Sequence, residues 1–193
     1  MFYQKYNLFY LLILFAFICT NSINKKHDDD DDGSGIVVGV KKKVIRIKME
    51  TKSLVDIEPN SDAINLSLNP PTEAGTSAIS STNTTKWLNY TSQLRLGDPD
   101  LTISVDSNLV IPGVDLLLDI SSAINGGGVL GTTVGSITIN TTPTVIINGI
   151  GGAYTGDGIN NGHQLTYSLG TTDYSQVSSL ANETIVVTYT LND

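Results

Sequence analysis

Cysteine is almost missing from this 193-residue chain. One thiol, Cys19, cannot form a disulfide within the chain, so a disulfide-stapled scaffold is excluded. Histidine occurs twice, at His27 and His163, and without paired cysteines a zinc site has no ligand set. Charged residues make up 16% of the chain, well under the usual ~25%. Ala, Glu and Lys are too few for a mainly helical protein. Lys and Arg stop at Arg95, while carboxylates continue from Asp98 to Asp193. The formal net charge of -8 excludes a basic nucleic-acid binder, because an acidic surface repels phosphates. Anionic substrates usually need Arg or Lys clamps, and the C-terminal half has none.

Catalytic constellations are equally sparse. No Gly-x-Ser-x-Gly elbow occurs, and a triad would have to join His163 with Asp157 or Asp173 and a distant serine. Asp157–Gly162 starts like a calcium loop, with glycine at the sixth position. It then places Ile159 at position three and Ser168 at position twelve, where oxygen ligands belong. We therefore expect no enzyme, no catalytic residue, no cofactor and no metal, with His163 ordering its own turn.

What is present begins with an export signal. Lys5 precedes the apolar block Leu8–Cys19, which is too short to span a ~30 Å hydrocarbon core comfortably. Small residues at Thr20-Asn21-Ser22 suit cleavage after Ser22, so residues 1–22 read as a signal peptide. Cys19 is a candidate lipidation site, although Ile18 stands where a lipoprotein signal has a small residue. Contact with a membrane is expected only through this leader or a lipid on Cys19. Residues 23–35 carry five consecutive aspartates and then Gly33-Ser34-Gly35, the makings of a flexible linker.

From Ile36 to Asp193 the chain reads as one sheet domain. Apolar residues alternate with polar ones at Ile45/Ile47/Met49, Val55/Ile57, Ile64/Leu66/Leu68, Leu101/Ile103/Val105 and Val114/Leu116/Leu118. The pattern continues at Ile137/Ile139, Val145/Ile147, Leu165/Tyr167/Leu169 and Ile185/Val187/Tyr189/Leu191. Period two over such short runs means half-buried strands. Asn125–Gly128, Asn148-Gly149 and Asn161-Gly162 supply residues that tolerate positive φ, as tight connections require. About nine or ten strands at this spacing predict an all-β, antiparallel, Ig-like (Greek-key) β-sandwich, with a closed barrel as the alternative. Asn69–Lys86 reads as a long polar surface loop. Five Asn-x-Ser/Thr sequons occur, and about three would arise by chance in so Asn- and Ser/Thr-rich a chain.

The charge layout is uneven. Lys41, Lys42, Lys43, Arg46, Lys48 and Lys52 crowd what alternation marks as the first strand, which we expect to pair with or pack beside the acidic remainder. Trp87, with Leu88 and Tyr90, is expected to fill the core. Trp87, Tyr90 and Tyr154 are the candidates for stacking on sugar.

The motifs Ser53–Ile57, Trp87–Thr91, Asn161–Ser168 and Ile185–Leu191 resemble those of secreted Bacteroidota β-sandwich proteins. More distantly, the small-polar composition and terminal strand resemble fimbrial-type pilin and spore-coat-U domains. That resemblance implies a sandwich completed by a neighbour's strand, for which Ile36, Val38 and Val40 are the candidate donor residues. It lacks the disulfide and penultimate aromatic usual in chaperone–usher pilins. The expected function is a non-catalytic, exported protein of the bacterial surface or envelope, structural or adhesive and self-associating or bound to other surface proteins. The alternative is a small carbohydrate-binding module.

Overall fold

The computed structural model describes residues 41–60, 63–178 and 183–193. The expected signal peptide, Cys19, the expected Asp-rich linker and the donor candidates Ile36, Val38 and Val40 lie outside the described residues. A compact unit runs from Ile47 to Asp193, and its first strand begins at Lys52.

Among the described residues the fold is all-β, without a helix. The strands are β1 (Lys52–Glu58), β2 (Leu68–Asn69), β3 (Ile79–Ser80), β4 (Thr82–Gln93), β5 (Leu101–Ser107) and β6 (Val114–Ile120). They continue as β7 (Gly127–Thr133), β8 (Ile137–Ile139), β9 (Thr144–Tyr154), β10 (His163–Thr171) and β11 (Val187–Asn192). Every ladder is antiparallel, in the order β11-β5-β9-β4-β10-β6-β8, with β1 added to β4 and β7 to β9; β2 and β3 form a separate pair. This is an antiparallel β-sandwich.

The long strand β4 organises the framework. Its first half ladders with β10, its second half with β1, and Thr91 and Ser92 meet β9. Alternation then sorts its side chains: Leu88 and Tyr90 enter the main cluster with Ile103, Val105, Leu118, Ile147, Ile150 and Leu165. Trp87 is offset by one residue and lies outside that cluster, yet it is buried too. Lys86 is buried beside it, donating from Nζ to the Pro59 carbonyl at 2.5 Å. At the other end of the core the Tyr167 and Tyr189 hydroxyls bond to each other, tying β10 to β11. Burial raises both phenols, Tyr167 to about 12.

Several sequence expectations are corrected. Lys41–Thr51 is not the first strand: it forms no ladder, and Ile45, Ile47 and Met49 are 75–84% exposed. Its alternation marks what the segment could bury, yet none of the one-sided strands takes it up. The Ile64/Leu66/Leu68 run contributes only the two-residue β2, although Ile64 and Leu66 pack on the core. The predicted loop 69–86 is shorter than expected, because β3 and the start of β4 fall within it. Asn148-Gly149 is no turn but the middle of β9. There Ile147 and Ile150 oppose Ile103 and Leu101, so β9 carries one extra residue in a bulge. Gly149 takes the positive φ of 73° that this kink needs.

Candidate functional site

Three places in the fold hold groups not used up by the core. The first is the junction of β1 and β11. Among the described residues β1 ladders only with β4, and β11 only with β5. The two strands come close without a ladder between them. Their junction opens into a groove of about 380 Å³. Leu94, Leu101 and Leu191 give it apolar lining, while Asp98, Asp193 and Lys52 bring charge. Edge backbone of this kind presents unanswered N–H and C=O groups, the feature by which sheets accept a further strand. The alternation of β11 was legible in the sequence; its open side was not, because pairing partners are set by topology.

The second is the aromatic set. Trp87 and Tyr90 are 5% and 3% exposed, so neither ring has a face open to sugar, and both stacking candidates are corrected. Each sits on β4 where both faces of the strand are covered. Tyr154 differs: it is 59% exposed, with its ring edge resting over Gly127. The three rings therefore do not form one platform.

The third is a buried polar chain around His163. This residue opens β10 and does not order its own turn, contrary to expectation. Its Nδ1 lies 2.8 Å from the Ser121 carbonyl, to which it donates. Its Nε2 is 3.2 Å from the hydroxyl oxygen of Tyr90, whose single proton is directed to the Leu130 carbonyl. The two rings stack with centroids 5.6 Å apart. Burial pushes the Tyr90 phenol up to about 12, so it remains a neutral donor. Burial also lowers the His163 pKa, opposed by the bond to Ser121. The arrangement links β4, β7, β10 and the chain after β6, and it has no serine nucleophile or carboxylate in its hydrogen bonds.

That lowered pKa has a measurable consequence. The unfolded chain takes up a proton on His163 near pH 6.5, while the folded chain resists it. Unfolding free energy is therefore unaffected well above that pH and falls as pH drops below about 6.5. Urea midpoints measured between about pH 7.5 and 5.5 should decline for the native sequence and decline less for His163→Gln. Equal slopes would show that His163 is not held neutral.

The loop before His163 is closed by asparagines. Asn89 donates from Nδ2 to the Asn161 carbonyl at 2.8 Å and accepts from Gly158 N–H at 3.0 Å. Asn125 and Asn161 add bonds to the Asn161 side chain and the Asp157 carbonyl. Asn160, at φ 64°, makes the turn. Among the described residues no group of three or more His, Cys, Asp or Glu is placed to hold a metal ion.

No family model matches the chain, and no curated protein or solved structure matches it either.

Proposed function

We propose that the protein is an exported, non-catalytic component of a bacterial cell surface or envelope with a structural or adhesive role, and that it self-associates as a fibre-type subunit. The observation that supports this most directly is the pair of one-sided strands, β1 and β11, meeting at a groove with three leucines. An added strand would find free backbone partners along β11 and apolar contact for alternate side chains. Ile36, Val38 and Val40 of a neighbouring copy have the period-two spacing this requires. The apolar block at Leu8–Cys19 supports export.

Sedimentation velocity over a range of concentrations tests the reading. The intact chain should form oligomers that grow with concentration, and deletion of residues 36–40 should leave monomer. An intact chain that stays monomeric throughout would remove self-association from the proposal.

The carbohydrate-binding alternative is left with Tyr154 as its single exposed candidate ring. Sugar sites gain affinity from aromatic faces joined to convergent polar groups, so one ring gives it little support.

A further inference from the structure

The stretch Lys41–Met49 is unusual in leaving apolar and cationic side chains exposed together. Lys41, Lys42, Lys43, Arg46 and Lys48 put five cations into eight residues, with no carboxylate between Lys41 and Met49. Between them Val44, Ile45, Ile47 and Met49 are 75–84% exposed. The exposed ion pair from Lys48 to Glu50, at 2.5 Å, involves one of these cations and in water contributes little. Such a density of uncovered apolar side chains calls for an apolar phase, and the cations call for anions beside it.

We propose that Lys41–Met49 is a peripheral membrane-binding segment for an anionic lipid surface. In extended backbone Ile45, Ile47 and Met49 share one side and Arg46 and Lys48 the other. The apolar side enters the headgroup–acyl boundary while the cations pair with lipid phosphates. A soluble polyanion would satisfy the cations but offer the aliphatic side chains nothing. Nine residues are too few to span the hydrocarbon core, and an unladdered backbone could not cross it, so the segment lies at the interface. Leu96–Asp193, with nine carboxylates and no Lys or Arg, would be repelled by the same surface. The charges that suit anionic lipid are thus concentrated in this one segment. This holds whether or not the β1–β11 groove supports self-association.

Vesicle flotation with the full chain tests the proposal, using phosphatidylcholine alone or phosphatidylcholine mixed with phosphatidylglycerol. The apolar leader is identical in every variant, so differences between variants report the segment. Binding to the mixed vesicles should exceed binding to phosphatidylcholine and weaken as salt is raised. Arg46→Glu/Lys48→Glu and Ile45→Ser/Ile47→Ser should each weaken it by roughly tenfold or more. All four sites are solvent-exposed or polar-facing, and far-ultraviolet circular dichroism should confirm an unchanged sheet. The Ile47→Trp variant should show an emission blue shift on mixed vesicles that is absent on phosphatidylcholine. Equal binding to the two vesicle types would overturn the proposal, as would unweakened binding by both double variants. Double variants that lose oligomerisation but keep vesicle binding would assign the segment to self-contact and overturn it too. If vesicle binding behaves as expected while the deletion of 36–40 leaves oligomers intact, only the donor-strand reading fails.

Discussion

Replacing Leu88 by alanine should lower the unfolding free energy by about 2–5 kcal/mol, the range for emptying a fully buried leucine site. Leu88 is entirely buried in the main cluster. It also sits where β4 has neighbours on both sides, Ile57 of β1 and His163 of β10. A void there would remove contacts from both flanks of the same strand. Antiparallel backbone bonding on both sides limits how far β4 can move to fill it, which argues for the upper half of the range. Urea unfolding followed by circular dichroism would give the value, with the m-value unchanged if the unfolded state is unaffected. A loss under about 1 kcal/mol would mean that the sheet collapses around the site.

Gly162→Ala should be of similar severity for a different reason. Gly162 has φ 69°, and an added Cβ would stand 2.2 Å from the Leu88 carbonyl oxygen and 2.8 Å from Asn89 Nδ2. The left-handed backbone alone costs about 1–2 kcal/mol for a residue with a Cβ. The clash adds to this, because the oxygen belongs to β4 backbone and cannot turn aside as a side chain would. It also displaces the Asn89 amide that fastens Asn161 and Gly158. A combined loss of about 3 kcal/mol or more follows. Gly149→Ala provides the comparison: its φ is 73°, but an added Cβ meets nothing within 4 Å. It should show the backbone cost alone, about 1–2 kcal/mol. Similar losses for the two variants would show that close approach at Gly162 is not what holds it as glycine.

Strands with one wet face announced themselves. Val55/Ile57, Leu101/Ile103/Val105, Leu165/Tyr167 and Val187/Tyr189/Leu191 alternate in sequence and occupy β1, β5, β10 and β11. Where that condition fails, the pattern fades. Residues 86–90 of β4 are buried on both faces, so Lys86 and Asn89 break the alternation while remaining inside. The strand β7 is rich in glycine, and Gly126–Gly128 carries the same signature as a tight turn. Asn148-Gly149 is ambiguous in the same way, since a bulge and a turn both ask for positive φ. The reverse case is Lys41–Met49, where alternation is clear but no ladder forms. Alternation shows what a strand could bury, not whether an edge is waiting for it. For the same reason the groove at β1 and β11 left no mark in the sequence, whereas the basic segment did.

The pairing order of β4 also governs when this sheet can form. Its β1 partner precedes it closely, but Tyr90 meets His163 across 73 residues, and β5 must find β11 over a comparable interval. Few hairpins between neighbouring strands are available to start a zipper, and loop closure must come before most contacts reward it. Assembly should therefore run on the millisecond-to-second scale typical of non-local β folds. For much of that time one flank of β4 stays unanswered, with Leu88 and Tyr90 uncovered. A chain in this state carries its greatest hazard of mispairing before it folds, not after.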